Sequence, residues 1–310
     1  MAKLSTFIGG NDNKQRQFVD IGAWLNYQYF IDKEQIALQR KSLNYTGVYN
    51  KASSDICFIY TKLIHQLNEQ LERILPKIRV VDAKTIIEDE VFYTTKIEGA
   101  RTTRVRTSEL HNGAPINASN RYSEQMVVNS FNATKYLNLV GSTLSEDVIV
   151  QTWNILIKDA CENSEIRGSK YRDGAVFVGS FEAPSYKDVP ELMKGFIRFY
   201  NSREMEDIPI VKAALVHYAF ETIHPFCDGN GRLGRMLLSN YLISRGYEAV
   251  KAVSISRQID KTRAQYDLAF TLAENIYNDC TPFLEYMLNT MYIVYSEVLE
   301  RQKLEKLSRR

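Results

Sequence analysis

The sequence predicts an all-α protein interrupted by one short β-hairpin. Three observations carry this. Apolar residues recur at helical spacing in one segment after another. Capping residues and prolines open these segments and glycines close them. One stretch, between residues 167 and 184, breaks the pattern by setting Gly168, Gly174 and Gly179 around Ala175-Val176-Phe177-Val178.

Residues 1–50 show little periodicity, and Trp24, Tyr27, Tyr29 and Phe30 suggest an irregular segment with a short helix lying across a body built later. Over 55–75, Phe58, Ile59, Leu63, Leu67, Leu71 and Leu75 repeat near helical spacing until Pro76 stops them. A helix over 82–98 turns Ala83, Ile86, Ile87, Val91, Thr94 and Ile97 inward, and Gly99 ends it. Beyond Leu110, Asn112-Gly113-Ala114-Pro115-Ile116-Asn117 reads as a loop, which divides an N-terminal helical module, 1–118, from a core, 119–310.

Helices follow over 123–140 and 145–160, the second with Val148, Trp153, Leu156 and Ile157 inward. After the hairpin they resume over 188–200, 209–223, 230–245 and 260–276, and from Pro282 to the end. Pro209 and Pro282 suit a first helical turn.

The 310 residues carry 39 basic and 37 acidic side chains, a formal charge of +2, so no bulk charge points to nucleic acid or a membrane surface. The basic end, 301–310, reads as a solvated helix terminus. Cys57, Cys161, Cys227 and Cys280 show no CxxC spacing, which argues against a zinc site or a disulfide framework; each is expected as a small buried apolar residue in a reducing compartment. The first twenty residues lack an apolar leader core, and no run of about 18 apolar residues follows. The expectation is a cytoplasmic protein that neither spans a membrane nor binds nucleic acid.

The chemistry concentrates in Ile223-His224-Pro225-Phe226-Cys227-Asp228-Gly229-Asn230-Gly231-Arg232-Leu233-Gly234-Arg235. Gly229 to Gly234 matches GxGxxG, and Glu248 falls about twenty residues later, where a dinucleotide fold would put its ribose-binding acid. That fingerprint needs a buried strand ahead of it. Here Val211, Leu215, Tyr218, Ala219 and Thr222 trace a helix instead, so the dinucleotide reading is set aside.

A glycine-flanked amide at a helix start presents unpaired backbone N–H groups at the positive end of the dipole and suits an anion, above all a polyphosphate. Arg232 and Arg235 stand three apart on that first turn, where cations oppose the dipole unless an anion compensates. Asp228 offers a hard oxygen ligand for magnesium. His224 is placed to take a proton from a hydroxyl. His217, seven positions earlier, reads as a core or supporting histidine.

The run from His224 to Arg235 resembles the HxFx(D/E)GNGRxxR signature of the Fic family at every defining position, and the likeness extends over about 120–300, including the lead-in Tyr218-Ala219-Phe220-Glu221-Thr222-Ile223. The resemblance implies a helical bundle with a hairpin flap. It also implies transfer of AMP from ATP, with Mg2+, to a hydroxyl of a protein target, the chain itself included. In that scheme His224 is the base, Asp228 the metal ligand, and Gly229, Asn230 and Gly231 the anion cradle. Arg232 and Arg235 hold the β and γ phosphates. Val176, Phe177, Val178 and Gly179 form the flap that docks the target by strand addition.

Upstream, Thr94-Thr95-Lys96-Ile97-Glu98-Gly99 resembles the family's (S/T)xxxE(G/N) inhibitory motif, in the class whose inhibitory helix precedes the core. Glu98 sits at the negative end of its helix and Arg235 at the positive end of another. A pair between them relieves both and removes a guanidinium the γ-phosphate needs. The family's paired tyrosines near the adenine are not matched: 263–266 reads Arg263-Ala264-Gln265-Tyr266, with one tyrosine. Removal of AMP, transfer of another phosphate-containing group, and a non-catalytic nucleotide-binding module stay open at this point. The helical surface of 55–75 offers a face for a homodimer.

Overall fold

A computed structural model of the chain describes residues 40–42, 57–59, 61–141, 143–160, 170–178, 181–203, 205–275 and 280–308. The expected short helix with its aromatics, together with Cys161, Gly168 and Gly179, lies outside them.

β1 (Arg40–Ser42) pairs antiparallel with β2 (Cys57–Ile59), Lys41 opposite Phe58. This corrects two expectations. The hairpin near 177 is not the sole β structure, and the helix read from residue 55 starts at Lys62. Thr61 sets that start, its Oγ1 accepting from the Ile64 N–H at 3.2 Å. Phe58 and Ile59, whose spacing mimics one more helical turn, pair instead with a strand far back in the chain.

α1 (Lys62–Ile74) buries Ile64, Leu67 and Leu71, while Leu63 is only half-buried, and a 3-10 turn containing Pro76 ends it. α2 (Ala83–Ile97) runs between Asp82, whose carboxylate accepts from the Thr85 N–H at 3.1 Å, and Glu98 as C-cap. Its inward face is narrower than expected: Val91 and Thr94 are buried, Ile86, Ile87 and Ile97 are half-buried and Ala83 is exposed. Gly99 follows with φ +89°, a conformation glycine adopts without steric cost. α3 (Arg104–His111), not foreseen, is opened by Thr103, which accepts from the Arg106 N–H.

α4 (Arg121–Leu139) and α5 (Glu146–Ile157) agree with expectation to within three residues, and Ser145 caps the second. β3 (Phe177–Val178) and β4 (Phe181–Glu182) make the hairpin. α6 (Val189–Asn201), α7 (Pro209–Ile223) and α8 (Asn230–Ser244) follow. The single helix read over 260–276 is instead two, α9 (Ile255–Lys261) and α10 (Arg263–Asn275), parted at Thr262; Ser254 opens α9 by accepting from the Arg257 N–H. α11 (Thr281–Ser308) closes the described chain.

α7 is the axis. Every residue from Ile210 to Phe220 is buried, the signature of a helix enclosed on all sides. It packs against α8 along its length, and α11 lies against α7, α1 and α10. Leu67 and Leu71 of α1 belong to the same apolar cluster as Leu215, Phe220, Leu237 and Met287. α2 lies across α8 and α9, over a cavity of about 190 Å³ lined by Ile86, Val91, Thr94, Leu137, Met236 and Ile243. Among the described residues no helix is long and apolar enough to cross a membrane.

Candidate active site

α7 ends on His224, which takes the left-handed conformation (φ +49°) while its N–H still bonds Phe220 O. For a residue with a Cβ this costs on the order of 1 kcal/mol, so the surroundings must hold it. The next five residues form a tight turn stapled by Asn230: its side-chain oxygen accepts from the Phe226 N–H at 3.0 Å and its amide donates to Phe226 O at 2.7 Å. Phe226 is buried, stacked on Trp153 at 4.4 Å, and the Trp153 indole donates to Asp228 O at 2.9 Å. Gly229, at φ +82°, then turns the chain into α8.

The first bond of α8 runs from Leu233 N to Gly229 O, so the N–H groups of Asn230, Gly231 and Arg232 face out of the helix start. Beside Gly231 on this first turn lies a carboxylate of the protein's own, Glu98. A Cβ placed on Gly231 would stand 2.3 Å from Glu98 Oε1, and Glu98 Oε1 accepts from Arg235 Nη2 at 2.6 Å. Arg235 is further held by Thr94, whose Oγ1 and carbonyl accept from it at 2.8 and 3.3 Å. Only 27% of the Glu98 side chain is exposed and 5% of Arg235. Burial pushes the Glu98 carboxyl up, and the charge and hydrogen bond of Arg235, with Arg232 and Arg263 behind, bring it down to below the ordinary value.

That direction fixes a pH dependence. A carboxyl lowered in the folded state contributes stability above its unfolded pKa, and the contribution is lost as pH falls through the folded value. The melting-temperature gap between the parent and Glu98→Gln should therefore be constant near neutrality and close below about pH 4.5. A gap that persists unchanged to pH 3 would mean that the pair adds no charge-dependent stability.

Arg232 is fully buried, with Nη2 3.1 Å from Asp228 Oδ1 and Nη1 3.4 Å from Leu156 O. Its Nε has no hydrogen-bond partner. Asp228 Oδ1 also accepts from the Gly229 N–H. His224 Nδ1 lies 3.2 Å from Glu221 O. A carbonyl only accepts, so Nδ1 carries the proton and Nε2 keeps its lone pair. Burial lowers the His224 pKa, opposed by the Glu221 carbonyl and by Glu98 and Asp228 and reinforced by Arg172; the net is below the ordinary value.

Cys227 corrects the reading of every cysteine as buried: it is exposed at the turn, whereas Cys280 is buried. Glu248 sits on a 3-10 turn paired with Lys251, remote from any ribose-binding role. Tyr266 is buried, its hydroxyl 2.8 Å from His217 Nε2. Burial holds that histidine down at about 3, so it is neutral. Phe177 at the hairpin is 64% exposed.

Two site residues carried no role in the sequence: Arg172 stands outside every motif, and Glu221 is part of the lead-in without a function attached to it. Glu221, one turn before His224, approaches α8 so closely that a Cβ on Gly234 would meet its carboxylate at 2.1 Å, and burial raises its pKa to about 8. Arg172 reaches the turn from the segment ahead of β3, its Nε donating to His224 O at 2.8 Å. Tertiary packing brings Arg172 to the site and sets Glu221 against α8.

Fold and turn together define a class: a predominantly helical protein whose central helix ends on a histidine beside a glycine-flanked helix start, with the Glu98 carboxylate packed on that first turn. Residues 143–242 match the Fic/DOC family model. The chain is 32% identical over 170 residues to the protein adenylyltransferase Fic of Drosophila ananassae, a match spanning 52% of this chain and 33% of that protein. It is 29% identical over 234 residues to the one of Drosophila grimshawi, spanning 72% and 44%. The matches thus cover well under two thirds of these relatives. In fold it resembles a Fic family protein from Desulfovibrio desulfuricans (TM-score 0.67, 22% identity, 83% of this chain and 78% of that one). It also resembles Fic-1 of C. elegans (TM-score 0.62, 19% identity, 97% and 83%). Within this chain, residues 143–242 carry the match to the Fic/DOC family.

Proposed function

We propose that this chain is a protein adenylyltransferase that moves AMP from ATP to a hydroxyl side chain of a protein, and that its own Glu98 holds it off. The observation that carries the reading is the Glu98 carboxylate seated against Gly231 and on Arg235, residues this reading gives to the triphosphate. A carboxylate already holds the guanidinium of Arg235 and fills the space over Gly231, where a phosphate would compete with it. The name carried by the Drosophila relatives supports the reaction class.

The target oxygen attacks the α-phosphorus; the new O–P bond forms as the bond from that phosphorus to the β-phosphate bridging oxygen breaks. Pyrophosphate leaves, and the hydroxyl proton passes to His224 Nε2. The lowered pKa of His224 keeps it neutral and able to accept. The N–H groups of Asn230 and Gly231, with Arg232 and Arg235, stabilise the phosphate charge. The outer edge of the hairpin at Val176, Phe177 and Val178 receives the target segment as an added strand. Residues 1–118 form the regulatory module and 119–310 the transfer core.

Asp228 fits Mg2+ as a ligand. That ion is commonly held by one or two carboxylates together with substrate phosphates and water. Oδ1 is engaged with Gly229 and Arg232, while Oδ2 makes no hydrogen bond among the described residues. When bound, Mg2+ would neutralise phosphate charge. Asp228→Asn in a Glu98→Gly background should lower AMP incorporation by roughly 10²–10³-fold, and a chelator should do the same to Glu98→Gly itself. Undiminished rates in Asp228→Asn would remove it as the ligand.

The test of the reading is intact-mass measurement of Glu98→Gly after incubation with ATP and Mg2+. A gain matching AMP supports transfer, with the chain as its own first target. Nucleotide bound with no covalent product, on this chain or on an added protein extract, would instead favour a binding module.

A further inference from the structure

Arg172 touches both halves of this apparatus. It is 3% exposed, and its backbone N–H donates to Pro225 O at 2.9 Å. Its guanidinium then fans out over four carbonyls. Nε donates to His224 O at 2.8 Å and Nη2 to Ile223 O at 3.4 Å, both at the C-terminal end of α7. Nη1 donates to Gly174 O at 2.8 Å, ahead of β3, and Nη2 also to Pro184 O, just past β4. The bonds therefore bracket the hairpin on one side and grip the histidine backbone on the other.

Among the described residues these partners are all carbonyls, and no carboxylate pairs with Arg172. Burying a guanidinium this way is unfavourable for packing alone, since an apolar side chain would fill the space without desolvating a charge. What the planar fork supplies is geometry: several donors fixed at set angles to one another. The residue gripped is also the one in a left-handed conformation, which needs outside support.

We propose that Arg172 is a positioning residue that locks His224 in its left-handed conformation and ties it to the hairpin, so that the base and the target-docking strand are held as one piece. The catalytic part of this rests on the AMP-transfer reading; the mechanical part does not. Loss of the fork lets the His224 backbone relax toward negative φ and carries Nε2 away from the attacking hydroxyl. The phosphate cradle, built from α8 and held by Asn230, stays in place.

Two measurements separate the parts. The first is hydrogen–deuterium exchange of the full chain with Arg172→Lys and Arg172→Met. Peptides covering β3 and β4 and peptides covering 223–229 should lose protection together, by roughly tenfold or more, while those of α1 and α11 keep theirs. Loosening of only one of the two, or of neither, overturns the proposal whatever the protein's activity. The second is labelling from α-labelled ATP in the Glu98→Gly background. The maximal rate should fall by about 100-fold in Arg172→Met and about tenfold in Arg172→Lys, while half-saturating ATP moves less than about threefold. A loss confined to ATP affinity, or a parent rate in both variants, overturns the positioning role. If Glu98→Gly itself transfers nothing, the AMP-transfer reading fails, and the exchange measurement still decides the coupling.

Discussion

Glu98→Gly should raise the initial rate of AMP incorporation from α-labelled ATP by about 10- to 100-fold, the range expected when a coupling of a few kcal/mol between an internal ligand and a substrate site is removed. The substitution clears the space over Gly231 and takes the carboxylate partner from Arg235 Nη2 at one stroke. It leaves the rest of α2 in place, because its other fastenings lie elsewhere. Lys96 pairs with Asp260 at 2.7 Å, Arg263 Nη1 donates to Ile97 O at 3.1 Å, and Glu90 accepts from Ser254 and Ser256. Arg235 keeps Thr94 as a partner, so it is not stranded. The C-cap backbone (φ −88°, ψ 12°) is open to glycine without strain. An unchanged rate, with the variant shown to be folded and ATP present well above half-saturation, would mean that Glu98 does not restrain the enzyme.

His224→Ala should reduce incorporation by about 10²–10⁴-fold in either background, the usual contribution of a positioned general base. Alanine is strained at φ +49°, so His224→Asn is the companion variant; asparagine tolerates the left-handed region and isolates the loss of the ring. Both should lose the maximal rate and keep ATP affinity, since no phosphate contact is assigned to the imidazole. The acid limb of the rate profile should lie below the ordinary histidine value. Glu98 raises this pKa, so its removal should move the limb lower still, while Arg172 pulls the pKa down and Asp228 up in both forms. Persistent labelling by both variants would sink the assignment of the base.

Legibility followed the range of the forces involved. The ends of α2 were readable because Asp82 and Gly99 act within a few residues of themselves, and the turn at 224–235 was readable because its chemistry is contiguous. β2 was not, because its partner strand lies about fifteen residues back and the apolar spacing of Phe58 and Ile59 continues that of α1. α3 and α9 do carry local marks, Thr103 and Ser254, but their short apolar faces gave no periodic stripe to attach the caps to. Arg172 belongs to no motif, and Glu221 stands in the lead-in before His224 with no role that its position alone assigns. The first works by reaching backbone carbonyls, which any sequence supplies, and the second by proximity to a glycine on the neighbouring helix. The exposure of Cys227 follows from its place in a turn whose apolar anchor is Phe226, a distinction that composition does not make.

Trp153 lies flat on Phe226 and holds the carbonyl of Asp228 through its indole N–H. The sequence has just two tryptophans, and the other, Trp24, is far upstream. Replacing Trp24 by phenylalanine leaves a single indole built into the floor of the turn. The chain would then carry its own optical gauge: on the proposed reading, the arrival of polyphosphate or the departure of the Glu98 carboxylate should change the light emitted by Trp153.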